Sequence, residues 1–576
     1  MPGHDTFSRL PLRVPSARSF FGARAGRKLL EAARAAGLPV SGHVPVRAED
    51  ALFLYAETPQ APQQVGAVVV MEGGHVALDD FRAAIASRVR AIPELRRRVL
   101  PPRNGWCRPR WVVDACIDVG SRIHEVPLTS PGAGSVDELV ARFFALPLDP
   151  SRSPWEMLLV RDPAREGGSS RYTVVVKVHH ALGDSFTLIA ALGGLFDEAP
   201  GHLAVRVPEL AVTVERPAGL ARAVRIANGL AGMLRAGRSS GNPVVRGEVG
   251  SGPVTAVQEH GAQAMPPSAG GPTPMAPTAG GPGPAAGGPD RAAGGPHRAA
   301  PVGPLLAESP PLAAHLPLAA HLPPAAHQPP GGRSRASRQF VRFSLQARAV
   351  TMVARQLQVN VPDLLLALVA EAMSKRAGPG PTVREDDPFG PGTTLRVMVP
   401  HSVRCVPRHQ RKARPGQRGP SNRTAGVLLD LPTRAMAFPE RLAAIRDQHN
   451  KCLGRGDAEA AAFVLEAMNL LPAPLQRRGA RSFYSGSWLG MIVSIFPGVR
   501  RPCRLLGEGI AAVYPVLALA EGTNLAMGAM TWGHSMSVSL LGAGDLAGDL
   551  GGLASEIEQC FYDCSEIARV VPAGEA

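Results

Sequence analysis

Apolar positions recur at helical and strand spacing in two long stretches of the chain, from about Pro45 to Arg238 and from about Ser337 onward. Asp79 to Arg90 carries apolar residues on one helical face and stops short of Pro93, which predicts an amphipathic helix. Arg171 to Val178 is a β-branched run and predicts a strand that enters His179. Beyond Asp184, the spacing from Phe186 to Leu195 predicts a helix with Asp184 or Ser185 as its N-cap. The second stretch predicts strands over Gln339–Ser344, Thr394–Pro400 and Ala425–Leu431. It also predicts helices from about Ala347 and over Asp363–Met373. Helices and strands that alternate within each stretch define an α/β chain with two layered domains.

The segment between them has no such pattern. Over residues 239–336 Pro, Gly and Ala dominate, with few large apolar groups to offset chain entropy. The expected organisation is therefore a basic leader (1–44), an N-terminal domain (45–238), a disordered linker (239–336) and a C-terminal domain (337–576). Prolines make the linker an extended, semi-stiff tether. A near-repeat places His315, His321 and His327 six apart. Metal binding is one reading of them, and low-complexity linker is the one composition favours.

Composition narrows the function classes. A chain of 576 residues exceeds one ordinary core, and 45% hydrophobic with 19% charged residues describes a soluble globular protein. The net charge of +15 favours anionic partners such as phosphorylated cofactors or acidic lipid, although Arg, Ala, Gly and Pro enrichment marks part of it as compositional background. Aromatics at 5%, with no recognised nucleic-acid module, argue against nucleic acid as a partner. Seven scattered cysteines without a CxxC pair indicate neither a disulfide framework nor a zinc site, and a reducing cytoplasm suits them. Cys560 and Cys564 share a helix face as buried small hydrophobes. No apolar run reaches membrane-spanning length, and the first 45 residues lack the apolar core of a secretory signal. Their Arg-rich, acid-poor character mimics a transit peptide, which carries little weight in so Arg-rich a chain.

Chemistry concentrates at His179-His180-Ala181-Leu182-Gly183-Asp184, where the predicted strand becomes a helix. Neighbouring residues on a strand point to opposite faces, so one histidine at most faces a given cleft. A neutral imidazole suits removal of a proton from an alcohol near neutral pH. Asp184 can lock the turn through an ion pair or backbone hydrogen bonds. The plainer alternative is that the histidines merely end a strand and Asp184 only caps a helix.

The same residues match the HHxxxDG signature of the CoA-dependent acyltransferase superfamily. Their surroundings resemble the bacterial wax ester synthase/diacylglycerol acyltransferase family over nearly the whole chain apart from leader and linker. Glu49 to Leu54 with Gln64-Val65-Gly66 looks like that family's opening segment. Pro147-Leu148-Asp149, Arg152 and Pro154-Trp155-Glu156-Met157 are similar to its pre-catalytic signature. Pro400-His401-Ser402-Val403-Arg404, Asn422-Arg423, Leu429 to Thr433 and Tyr514-Pro515 resemble later segments in order. The resemblance implies two chloramphenicol-acetyltransferase-like domains around a substrate tunnel. It further implies His180 as general base, His179 as support and Asp184 as a structural residue. Acyl-CoA would be the co-substrate and diacylglycerol or a fatty alcohol the acceptor. Attack would be direct, with no acyl-enzyme, no permanently bound cofactor and no metal.

Three departures bear on substrate choice. Ser185 stands for the family's glycine, Pro362 precedes Asp363 where an asparagine is usual, and Ile495 replaces the asparagine of a late motif. An enzyme that esterifies a secondary metabolite, or a catalytically weak lipid-surface binding protein, are the alternatives they leave open. Basic amphipathic stripes at Phe21–Ala36 and Leu220–Leu234 suit an anionic membrane or lipid-droplet surface, hence a cytoplasmic protein peripheral to lipid. Ordinary helix-on-core packing explains the second stripe equally well.

The linker reading has a direct test. Deletion of residues 250–330 should leave yield, melting temperature and acyl transfer near parent values. Loss of soluble protein, or protease resistance of this stretch in the intact chain, would contradict it.

Overall fold

The computed structural model describes residues 44–73, 76–102, 104–114, 117–128, 135–162, 171–197, 224–232, 338–377, 394–402, 422–486, 488–499, 503–544 and 549–570. The basic leader up to residue 43, its Phe21–Ala36 stripe and the whole of 239–336 lie outside these residues.

Two six-stranded sheets organise the described chain. In spatial order the first runs Arg504–Leu505, Glu508–Val516, Gln64–Met71, Arg171–His179, Trp155–Asp162, Ile123–Pro127. Its pairs are antiparallel except the last, where Ile123–Pro127 runs parallel to Trp155–Asp162. The second runs Thr424–Pro432, Thr394–Ser402, Met491–Val499, Leu525–Trp532, Ser535–Ala543, Arg338–Gln346. Met491–Val499 lies parallel to both its neighbours, and the remaining pairs are antiparallel. A three-stranded sheet of Val44–Pro45, Arg110–Val113 and Arg97–Leu100 completes the first half.

The predicted elements fall where the patterns put them. The helix predicted over Asp79–Arg90 spans Leu78–Val89, and the one after Asp184 spans Ser185–Gly193. In the second half, helices occupy Ala347–Gln356 and Val361–Ala377. Leu364 to Ala370 of the latter are wholly buried, so an all-round apolar helix here is a core helix. Among the described residues no single helix is long and apolar enough to cross a membrane. Cys560 and Cys564 are buried on helix Leu550–Val570.

One connection departs from a division at the linker. Strand Glu508–Val516 belongs by sequence to the second half but pairs with Gln64–Met71, placing Tyr514 opposite Val68 and Val516 opposite Gly66. The second half thus supplies two strands to the first sheet, Glu508–Val516 and, at its edge, Arg504–Leu505. Helix Val136–Ala145 ties the halves from the other side, through Arg342 Nε to Asp137 Oδ1 at 2.7 Å and Arg338 to the Phe144 carbonyl.

Residues 224–232 are helical; of the predicted stripe, Leu220 and Leu234 lie outside the described residues and Leu230 is half-buried. Val224 and Ala227 are exposed, whereas Gly229 and Gly232 are buried. A Cβ on Gly229 would come within 2.4 Å of the Gly456 carbonyl and 2.6 Å of the Ala460 Cβ, so the contact needs a residue without a side chain. Arg225 fastens the helix to the Leu453 carbonyl at 3.0 Å and to Glu459 at 2.7 Å. This helix packs on the helices Phe438–Arg455 and Asp457–Met468 through small residues, and its Leu230 reaches the central cavity.

Candidate active site at the seam of the two halves

Strand Arg171–His179 separates the two histidines by its pleat. Val174, Val176 and Val178 line a central cavity of about 430 Å³, and His180 continues their side. Lys177 and His179 take the opposite side. Lys177 is buried there, donating to the Phe143 and Leu146 carbonyls at the C-terminus of helix Val136–Ala145 and pairing with Glu156 at 3.0 Å.

His179 is wholly buried. Its Nδ1 accepts from the Ala181 N–H at 3.0 Å, so the ring proton sits on Nε2, 3.3 Å from Glu57 Oε2. Both nitrogens are thereby committed, and the residue fastens the turn to the end of helix Ala48–Ala56.

His180 opens a single 3₁₀ turn, His180–Leu182. Its ring stacks on Phe53 with centroids 3.7 Å apart and planes 8° from parallel, and Tyr484 meets Phe53 edge-on at 5.7 Å. Nδ1 is buried without a well-aligned hydrogen-bond partner. Burial pushes the pKa of the ring down to about 4, opposed chiefly by its own backbone carbonyl and by Asp184. With that pKa the ring is neutral at pH 7, and the residue lines the cavity.

The turn is held from both halves. Asp184 is buried, and its Oδ1 accepts from Thr187 N–H at 2.9 Å, capping helix Ser185–Gly193. Its Oδ2 accepts from Arg423 N–H at 2.9 Å and the Thr424 hydroxyl at 3.2 Å, at the start of strand Thr424–Pro432 in the second sheet. Asn422 adds a second tie. Its Nδ2 donates to the His180 carbonyl at 3.1 Å and to Asp50 Oδ1 at 2.8 Å, and its own N–H meets the same Asp50 oxygen at 2.9 Å. Asp50 and Asn422 lie in segments that family resemblance marks, but nothing in their spacing, 372 residues apart, pairs them.

Around this point the cavity is almost entirely apolar. One arm lies between the first sheet and helices Leu78–Val89 and Ser185–Gly193, lined by residues such as Val69, Phe81, Ile85 and Leu192. The other lies between Met398, Pro400 and Leu428 of the second sheet and Val464, Leu465 and Met468 of helix Asp457–Met468. His180 sits where the halves meet. Among the described residues no group of three or more His, Cys, Asp or Glu could hold a metal ion.

The three departures from family pattern occupy different places. Ser185 lines the cavity. Ile495 faces the helix-side core of the second half, while Ile492, Ser494 and Phe496 line the cavity. Asp363, after Pro362, is buried in a chain behind the second sheet. There His449 Nδ1 meets Asp363 Oδ1 at 2.6 Å and His449 Nε2 meets His401 Nε2 at 2.9 Å. Asn360 Nδ2 supplies an amide to Asp363 at 2.7 Å. Burial and the neighbouring His449 lower the pKa of His401 to about 3. Of the three, only Ser185 lines the cavity.

Two layered α/β halves, the second lending strands to the first sheet, that share an apolar cavity with an HHxxxD turn at its centre make up a chloramphenicol-acetyltransferase-like fold. The family model described as wax ester synthase/diacylglycerol acyltransferase catalytic domain matches residues 46–261, and that family's C-terminal domain model matches 421–563. The chain belongs to the wax ester synthase/diacylglycerol acyltransferase family. A putative diacylglycerol O-acyltransferase of Mycobacterium tuberculosis is 33% identical over 166 residues, 27% of this chain and 32% of that protein. The match therefore spans about a third of that relative's length. A probable diacylglycerol O-acyltransferase of the same organism is 22% identical over 553 residues, 91% of this chain and 94% of its own. The structure of the wax ester synthase/diacylglycerol acyltransferase from Marinobacter aquaeolei VT8 superposes with a TM-score of 0.50 at 17% identity. It covers 92% of this chain and 100% of that one, a likeness of fold.

Replacement of Asp184 separates anchoring from proton transfer. In Asp184→Asn an amide N–H₂ or a lone carbonyl must face three donors, leaving a buried group unmet at a cost of about 1–3 kcal/mol. The variant should melt several degrees below the parent as well as losing rate. A variant that melts like the parent but has lost most of its turnover would contradict the anchoring role.

Proposed function

We propose that the protein transfers a fatty acyl group from acyl-CoA to the hydroxyl of diacylglycerol or a long-chain alcohol, with His180 as general base. The observation that carries this reading is an uncharged imidazole at the junction of the two apolar arms of a cavity of about 430 Å³. Acyl-CoA enters the reaction as co-substrate.

The acceptor hydroxyl gives its proton to His180 Nε2 as its oxygen bonds the thioester carbonyl carbon. The tetrahedral intermediate then expels the CoA thiolate, which recovers the proton from the imidazolium as free thiol. With a pKa of about 4 the ring is a weak base, so proton removal accompanies C–O bond formation and does not precede it. Direct transfer is supported by the surroundings of His180, which among the described residues makes no hydrogen bond to a serine or cysteine side chain that would act as an intermediate nucleophile. Asp184 and Asn422 act through the turn that carries His180, and His179 braces it from behind. With such substrates the protein would work on the cytoplasmic side of a membrane or lipid inclusion, as a peripheral protein.

His180→Ala should lower acyl transfer by about 10²–10⁴-fold at an unchanged melting temperature. His179→Ala should lose less rate but melt lower, because its ring bridges Ala181 and Glu57. For the parent, rate should be flat from pH 8 to about 5 and fall toward 4, where the ring takes up a proton and ceases to be a base. Initial rates and thermal melts check these outcomes, and equal mild losses in both variants would overturn the assignment.

A further inference from the structure

The helical hairpin formed by Asp457–Met468 and Ala473–Phe483 has two unlike faces. Its inner face is wall of the cavity, built from Ala461, Val464, Leu465 and Met468 with Phe483 at the far end. Its outer face and tip hold large apolar side chains in water. Leu470 is 86% exposed, and Phe463, Leu471 and Leu475 are exposed beside it. Trp106, 71% exposed, is brought to the same tip by a hydrogen bond from Ala473 N–H to its carbonyl. Arg108 Nη1 to Asn469 Oδ1, at 2.9 Å, fixes that approach. Single exposed apolar residues are ordinary on a protein surface, but a contiguous group of this size marks an interaction site.

Phe483 belongs to both faces. It lines the cavity and is 53% exposed, so the wall between the reaction space and the apolar patch is one helix thick. Charge narrows the partner. Helix Ala473–Phe483 contains Arg477, Arg478 and Arg481 and no acidic residue. Arg477 lies over the Tyr55 ring and Arg481 donates to the Tyr55 carbonyl, which holds the helix to the body of the protein. Arg478 is exposed beside Leu475, as is Arg110 on the strand next to Trp106, while Glu466 is the exposed carboxylate of the hairpin. An apolar tip with a net basic rim matches a lipid surface with anionic headgroups.

We propose that the hairpin tip, with Trp106, is the face by which this protein sits on an anionic phospholipid surface, opening the Phe483 side of the cavity toward the acyl-chain layer. Its purpose, delivery of lipid substrates, rests on the acyltransferase reading above, but the binding itself does not.

The test uses the full-length protein without substrate, sedimented with phosphatidylcholine vesicles containing or lacking phosphatidylglycerol. The parent should bind the anionic vesicles. The double variant Leu470→Glu/Leu475→Glu should lose about tenfold or more in bound fraction at an unchanged melting temperature, since neither side chain is buried. Arg478→Glu should reduce binding to anionic vesicles and leave the neutral ones unaffected. A parent that stays in solution with anionic vesicles overturns the proposal, as does a double variant that sediments like the parent. If instead the parent self-associates without lipid and the double variant does not, the patch is a protein interface and the proposal fails. Acyl transfer measured separately, to a soluble short-chain alcohol, keeps the two readings distinct. Vesicle binding lost in the variant while neither protein transfers acyl groups would leave the docking face standing and remove the enzymatic assignment.

Discussion

A single buried carboxylate joins the parts of this molecule that must meet. Asp184 divides its two oxygens between the halves, one capping the helix that follows the His180 turn and the other receiving the Arg423 N–H and the Thr424 hydroxyl. A carboxylate in such a place would be costly alone, and three donors satisfy it. Because those donors come from segments about 240 residues apart in sequence, the His180 turn has its shape only when both halves are docked. Asn422 repeats the arrangement with neutral groups, binding Asp50 and the His180 carbonyl together.

The docked halves also set the chemistry. They enclose an apolar cavity, and the same exclusion of water that suits lipid chains lowers the pKa of His180. Stacking on Phe53 fixes the ring plane without offering a polar partner. A charged imidazole is therefore disfavoured there, and the neutral state is the one the proposed general base requires. Strand Glu508–Val516 makes the docking topological as well as adhesive, since the second half closes one edge of the first sheet.

Much of this was legible in local pattern. Alternation along Arg171–Val178 already assigned His179 and His180 to opposite faces, and the helical spacing after Asp184 located its cap. Relations between distant segments were not legible in the same way. Nothing in the apolar run at Glu508–Val516 says which sheet it joins, because a strand's periodicity gives its faces and not its neighbours. The pairings Asp50–Asn422 and Asp363–His449–His401 are likewise products of tertiary packing. The helix at 224–232 shows a different limit. Its close approach to the neighbouring helices is made at Gly229 and Gly232, positions that carry no hydrophobic signal.

The central claim is that His180 stands neutral at the seam as the acceptor of the substrate proton. Its ionisation can be followed without turnover, by NMR of ¹⁵N-histidine-labelled protein, with the His180 resonances assigned by their loss in His180→Ala. The account predicts a neutral ring protonated on Nδ1 from pH 8 to about 5, with protonation near 4. A ring that titrates near its reference value of about 6.5, or that carries its proton on Nε2, would contradict it.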